Sequence, residues 1–336
     1  MIKLTENSYV YVVCPAYKKT GGTELAHQLV YELNILGVNA YITYYSCDKG
    51  NTEYTDKSFK QYVKSCKLVD DIKDNSNNLV IVPEININLL DTFTSIKKAI
   101  WWMSVDNFTK NNGINNAIKF YGFFNACKLA IKRNINILPK KIPNGVQHFY
   151  QSAYAREFLI SQGIDKTYRL SDYINEIYIE NRKNIDRSKK KNIVLYNPKK
   201  GLSFTERIKD ASKNLKWVPI ENLTNYEVSQ LLKKSKVYID FGNHPGKDRF
   251  PREAAMSDCC IITGKKGSAK YYEDISIPDK YKFQDKVDNI GEIVSCIESC
   301  LDDYNTKIND FSKYREKITE ERNLFKNDIK KIFFVS

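Results

Sequence analysis

The stretch Asp240–Met256 reads DFGNHPGKDRFPREAAM. It leaves an apolar run with strand composition, Val237–Phe241, and leads to another, Cys259–Thr263. A helix is expected between them, because Pro251 suits a first helical turn and Arg252-Glu253-Ala254-Ala255-Met256 are mostly good helix formers. Strand, polar loop, helix, strand is a βαβ unit. Such units build parallel sheets, whose ligands bind at the strand C-terminal ends. The loop therefore falls where a ligand would sit, and it is dense in ionisable groups. Lys247, Arg249 and Arg252 can counter phosphate charge. Glu253 is expected in the first helical turn, where it either accepts two hydroxyls, as a ribose offers, or simply complements the helix dipole. Of the chain's three histidines, His244 is the one expected at a bound ligand; His27 and His148 read as packing residues.

The same rhythm extends in both directions. After Cys259–Thr263 comes GKKGSA, with Gly267 and Ser268. Upstream, the strand Asn192–Tyr196 breaks at Asn197-Pro198 and is followed by Lys199, Lys200 and Gly201. Two lysines directly after a strand suit a diphosphate; the alternative is a basic surface turn. Thr224 with Glu227 three residues on has the form of a capping box. In the first half, Tyr9–Val13 reads as a strand. Thr20-Gly21-Gly22-Thr23 then opens a helix with Leu25, Leu29 and Leu33 at one face and Gly37 at its end. The pair Gly21 and Gly22 either lets the backbone approach an anion at the helix N-terminus or makes a plain tight turn. Val38–Tyr45, Leu79–Val82 and Ala99–Val105 are further strands, and 151–163 reads as a short helix with a Gly stop. The last thirty or so residues are partly periodic and helical.

Two restarts of βαβ, separated by a polar run near 180–191, give the expected organisation. It is a Rossmann-like domain over 1–178, a linker over 179–191, a second Rossmann-like domain over 192–310 and a terminal helix over 311–336. The length of 336 residues agrees with two domains. Composition excludes a disordered chain, a collagen and a disulfide scaffold: 42% of residues are hydrophobic and 28% charged. The eight cysteines include no CxxC pair and no zinc-like spacing, which reads as free thiols in a reducing cytoplasm. No metal site is expected. No apolar run is long enough to span a bilayer, and no leader or lipidation motif is seen. The net charge of +13 points to an anionic partner, whether nucleic acid, a membrane surface or a phosphorylated small molecule. Nucleic acid is disfavoured, because no recognition motif is present and the charge reads as spread along the chain.

The Arg252-Glu253-Ala254-Ala255-Met256 helix, the strand Cys259–Thr263 and the loop Gly264-Lys265-Lys266-Gly267-Ser268 together resemble the C-terminal domain of GT-B glycosyltransferases of the group 1, family-4-like class. The Gly21-Gly22 loop and the segment GVQHFYQSAYAREFLISQG (145–163) extend the resemblance over most of the chain. It implies an α/β fold of two doubly wound domains facing a central cleft, with the C-terminal helix crossing back. It also implies transfer of a sugar from a nucleotide-sugar donor to a glycan or lipid-linked acceptor, as in bacterial-type surface polysaccharide, lipopolysaccharide or capsule synthesis. Glu253 would bind the ribose. Lys199 or Lys200, with Lys247 or Arg249, would hold the diphosphate without metal or other cofactor. Asn197, Gly21, Gly22, Gly267 and Ser268 would line the donor, and peripheral contact with an anionic membrane would fit the charge.

The chain departs from that class in two places. The class often carries a second glutamate eight positions before this one, where the chain has Pro245; either His244 or Asp248 substitutes, or the donor sugar is handled differently. Where the class often has a histidine after the fourth strand, this chain has Trp101-Trp102-Met103-Ser104-Val105-Asp106-Asn107. Asp106 is then a candidate general base or acceptor ligand, or an Asx turn that closes the strand. One of the two tryptophans at most would face a sugar. A nucleotide-sugar epimerase, a phosphorylase or a non-catalytic glycan-binding module would share the architecture.

Overall fold

A computed structural model of the chain describes residues 2, 4–47, 53–63, 65–132, 135–139 and 141–334. The chain forms two compact units, Met1–Asp172 with Leu324–Ser336, and Tyr173–Asn323.

The first unit holds a seven-stranded sheet: β1 (Tyr9–Pro15), β2 (Asn39–Tyr45), β3 (Cys66–Leu68), β4 (Leu79–Pro83), β5 (Lys97–Trp102), β6 (Gln147–Tyr150) and β7 (Thr167–Arg169). The order is β3-β2-β1-β4-β5-β6-β7, and every pairing is parallel. The central strands are buried on both faces, which is why their apolar runs are continuous rather than alternating. Helix α1 (Gly21–Ile35) connects β1 to β2. Thr20 caps it by accepting from the Thr23 amide, and Gly37 ends it at φ +83°. Trp101 and Trp102 are both in the core: Trp101 donates to the Leu170 carbonyl at 2.8 Å and Trp102 to His148 at 3.2 Å. Neither is available to stack on a sugar.

The strand expected over Ala99–Val105 stops at Trp102, because Ser104 caps a new helix. Helices α2 (Val105–Asn111), α3 (Ile114–Tyr121) and α4 (Phe123–Ile131) follow, and α5 (Ala153–Ser161) lies between β6 and β7.

The second unit has a five-stranded parallel sheet of β8 (Lys191–Tyr196), β9 (Trp217–Pro219), β10 (Ser235–Asp240), β11 (Cys260–Gly264) and β12 (Lys282–Phe283). Their order is β12-β11-β10-β8-β9. Helix α6 (Glu176–Arg182) precedes the sheet. Helices α7 (Leu202–Asp210), α8 (Asn225–Lys234), α9 (Arg249–Met256), α10 (Ile290–Asp302) and the short α11 (Tyr304–Lys307) alternate with the strands or follow them. The capping box of Thr224 and Glu227 is formed, with the Thr224 amide donating to Glu227 at 2.7 Å.

The polar run 179–191 is not a free linker. It contains the end of α6, a 3-10 turn at Arg187–Lys189 and the start of β8. Lys190 is buried, and its ammonium donates to the carbonyls of Leu232, Ser235 and Ser257 at 2.7–3.1 Å. Arg187 pairs with buried Asp258 at 2.9 Å. A charged sequence here marks the start of an interior strand, held by lysine–carbonyl bonds and an ion pair. The long helix α12 (Ser312–Phe333) contributes its first half to this unit and its residues from Leu324 on to the first. There Asp328 accepts a charge-assisted pair of bonds from Arg169 at the end of β7, with Nη2···Oδ1 at 2.9 Å.

Candidate functional site

In the second unit the loops after β8, β10 and β11 converge at the C-terminal edge of the sheet. Gly201 is held at φ +60°, where a Cβ would lie 2.4 Å from the Phe241 carbonyl oxygen. Gly267, at φ +55°, would put one 2.0 Å from the His244 carbonyl oxygen. These glycines let three backbone segments touch. The Ser268 amide donates to the His244 carbonyl at 2.9 Å, and its hydroxyl donates to the Gly246 carbonyl at 2.6 Å. Ser268 is fully buried, so it and Gly267 shape the loops and offer no side chain to a donor. Asn197 is also buried, and its side chain accepts from the Lys199 amide at 3.0 Å, an Asx turn that sets the direction of the lysine pair.

A line of alternating charge runs through this edge. Lys200 Nζ lies 2.7 Å from Asp248 Oδ2, and that same oxygen lies 2.8 Å from His244 Nδ1. His244 Nε2 lies 3.6 Å from Asp240 Oδ1. Asp240 in turn accepts from the Tyr238 hydroxyl at 2.9 Å and the Gly242 amide at 3.0 Å. Burial alone would lower the His244 pKa, but Asp240 and Asp248 outweigh it and raise it. Burial would likewise raise Asp248, and its contacts with His244 and Lys200 hold it below the ordinary carboxylate value. Asp240, His244 and Asp248 place one potential ligand atom each within 4.8 Å of one another. The imidazole turns a different nitrogen to each carboxylate, however, and Lys200 shares Asp248, so the set fits an ion-paired chain better than a cation. His244 has no exposed surface. Its two ring nitrogens face Asp248 and Asp240 inside the loop, rather than the open surface where a ligand contact is expected from the sequence.

Lys247 and Arg252 are held elsewhere. Lys247 Nζ is 2.7 Å from Glu321 Oε1, and Arg252 Nη1 is 2.8 Å from Glu321 Oε2. All three side chains are buried, and Arg252 also donates to the Lys247 carbonyl at 2.9 Å. The expected phosphate role of Lys247 is thus replaced by a buried ion triad that ties the β10–α9 loop to α12. Helix α9 begins at Arg249 with Asp248 as its N-cap residue, so Glu253 is one full turn inside the helix rather than in its first turn. A reading of Glu253 as a dipole complement loses its basis. Neither α7 nor α9 has a side chain capping its N-terminus. Their first turns, with exposed Lys199 and half-buried Lys200 and Arg249, lie along this edge.

In the first unit, Gly21 and Gly22 open α1 next to the end of β5: a Cβ on Gly22 would meet Met103 Sδ at 3.8 Å. The Met103 amide donates to Glu84 Oε2 at 3.0 Å. Glu84 was not singled out in the sequence, although an acid directly after the apolar run Leu79–Pro83 was the available signal. It is 3% exposed, and burial pushes its carboxyl up to about 7. Asp106 lies in the first turn of α2 rather than at a strand end, half-buried, and accepts from the Tyr154 hydroxyl at 2.8 Å. His27 is buried, 2.6 Å from the Thr23 carbonyl and 2.7 Å from the Tyr44 hydroxyl, the packing role expected of it. His148 accepts from Trp102, and burial lowers its pKa to about 4. It also lines a cavity of about 860 Å³ at the N-terminal ends of β6 and β7, the edge opposite Gly22 and Glu84.

No family model matches the sequence, and no curated protein does. Solved structures match along nearly the whole chain. A glycosyltransferase from Rickettsia africae ESF-5 is 16% identical, with 96% of this chain and 97% of that one covered and a TM-score of 0.59. HepE from Anabaena, solved with UDP, is 12% identical over 97% and 99% of the two chains, TM-score 0.62. Sucrose-phosphate synthase from Thermosynechococcus elongatus is 10% identical over 97% and 98%, TM-score 0.65. At these identities the likeness is one of architecture, and the chain has the fold of the GT-B glycosyltransferases.

Proposed function

We propose that this protein is a glycosyltransferase that moves a sugar from a nucleotide-sugar donor, with a diphosphate leaving group, to a glycan or lipid-linked acceptor in surface polysaccharide synthesis at the cytoplasmic side of a membrane. The observation that carries this reading is the C-terminal edge of the second sheet. Two uncapped helix N-termini and the cations Lys199, Lys200 and Arg249 collect where parallel sheets bind ligands. Such an edge stabilises negative charge developing on a leaving diphosphate with groups already in place. Lys200 is held by Asp248, and Asp248 by His244, so the lysine is oriented before a ligand arrives. Glu253, on the next turn of α9, would receive the ribose hydroxyls. The uridine nucleotides in the HepE structures make UDP the first donor base to try.

In the first unit, Asp106 with Tyr154 is the candidate base or acceptor ligand.

Calorimetric titration with UDP, GDP, CDP, ADP, dTDP and CMP, without metal, tests the donor site. One diphosphate should bind at micromolar level, and Glu253→Ala should abolish it. Binding of none of them refutes the assignment and favours a non-catalytic glycan-binding module. A donor consumed without acceptor into an epimeric sugar nucleotide would mark an epimerase instead.

A further inference from the structure

Helices α3 and α4 form a hairpin whose inner face is apolar for the usual reason: Ala117, Ala126 and Ile135 are buried, with Ile114, Ile118, Tyr121 and Leu129 packed around them. The outer face is not polar. Phe124 is 87% exposed and Ile131 83%, and they lie one turn to either side of exposed Lys128. Phe120, Phe123, Ile137 and Leu138 extend the exposed apolar surface at the ends of the hairpin. Large aromatic and aliphatic side chains gathered at this exposure mark an interaction surface.

The charge around the hairpin decides what it meets. From Asn107 to Arg156 the sequence contains no Asp or Glu and eight Lys or Arg, against a net +13 for the whole chain. The net positive charge is therefore concentrated in this stretch, which corrects the reading of it as spread along the chain. Lys119, Lys128 and Lys132 are exposed on α3, on α4 and at the end of α4, beside the apolar residues. Two copies of the chain joined through this face would bring like charges together. An anionic lipid surface satisfies both features at once: acyl chains receive the Phe and Ile side chains while headgroups receive the ammonium groups.

We infer that the α3–α4 hairpin docks the protein on an anionic bilayer surface, with Phe124 and Ile131 entering the headgroup–acyl boundary around Lys128. The docking is independent of the transferase reading, because it needs neither nucleotide nor acceptor.

The test is flotation of the full chain with vesicles of phosphatidylcholine alone or mixed with phosphatidylglycerol, at low and high salt. The protein should float with the anionic vesicles at low salt and lose binding as salt rises. The double variant Phe124→Ser, Ile131→Ser should weaken binding at least about tenfold through lost apolar burial. Lys128→Gln with Lys132→Gln should weaken it by about tenfold or more at low salt only. Circular dichroism spectra and melting temperatures of the same variants should match those of the parent chain, which separates loss of docking from loss of fold. Absence of flotation with anionic vesicles at low salt overturns the inference, as does flotation that neither pair of substitutions reduces. A dimer seen by light scattering and broken by Phe124→Ser, without flotation, would assign the surface to a second copy and also overturn it.

Discussion

Glu321→Gln is the substitution that most directly probes how the donor-side loop is held. Glu321 is 4% exposed and is shared by two buried cations, Lys247 at 2.7 Å and Arg252 at 2.8 Å. The amide keeps the shape of the carboxylate, so no cavity forms, but both buried cations lose the carboxylate they share. Removing one partner of a buried ion pair costs about 3–5 kcal/mol. For a unit of this size each kcal/mol lowers the melting temperature by about 2–4 °C, so a drop of about 6–20 °C is expected. Thermal and urea unfolding followed by circular dichroism reads it. A double-mutant cycle sharpens the test. Lys247→Met alone leaves Glu321 paired with Arg252 and should cost less than Glu321→Gln. Adding Lys247→Met to Glu321→Gln should recover part of the loss, because it removes one of the two cations that the lost carboxylate had paired. A loss under about 1 kcal/mol for Glu321→Gln, or additive effects in the cycle, would refute the triad as the element that fixes this loop.

Three further outcomes are expected. Gly267→Ala should destabilise the second unit by more than about 2 kcal/mol in urea unfolding, because the left-handed backbone costs about 1–2 kcal/mol by itself and the new Cβ would also lie 2.0 Å from the His244 carbonyl oxygen. Lys200→Met should weaken binding of the preferred nucleoside diphosphate by about tenfold in calorimetry while a nucleoside without phosphate is bound equally, and an unchanged diphosphate affinity would exclude this lysine from the site. Glu84 holds its proton up to about pH 7 in the folded chain against an ordinary value of 4.5, so its stabilising contribution is complete below 4.5 and is lost as pH rises through 7. The shift corresponds to about 3 kcal/mol, and Glu84→Gln should flatten the stability profile between pH 5 and pH 8 by that amount; parallel profiles would show that Glu84 is ionised throughout.

The buried strands were readable because both faces of a parallel sheet are covered, which leaves runs such as LVIV closed by Pro83 or by Asn197-Pro198. The edge strands β3, β7 and β9 span three residues each, too short to impose a period. The α2–α4 stretch was hidden because its exposed apolar residues blur the amphipathic signal that would have marked helices. At the site, the strand-end position of Lys200, Asp248 and Glu253 followed from the βαβ order. The partners of Lys247 and Arg252 did not, since Glu321 lies 69 residues beyond Arg252 on a helix whose apolar periodicity says nothing of which charge it buries. His244 drew notice as a rare histidine, but only packing shows that no surface of it is open. The start of α9 was misplaced because Asp248, a strong N-cap residue three positions before Pro251, was read as a loop charge.

The division of α12 between the two units has a bearing on how the chain is made. Arg169, at the last strand of the first sheet, meets Asp328 across 159 residues of sequence. During synthesis the first unit therefore emerges with its sheet complete and its closing helical turns still untranslated. It must wait, with Phe149 uncovered by Phe333 and Glu32 lacking Lys326, until the second unit has been made. The second unit, whose residues are contiguous from Tyr173 to Asn323, can finish folding before the first does. A ribosome-bound fragment ending at residue 172 would be an open intermediate, and cutting the chain between its units would leave one of them unfinished.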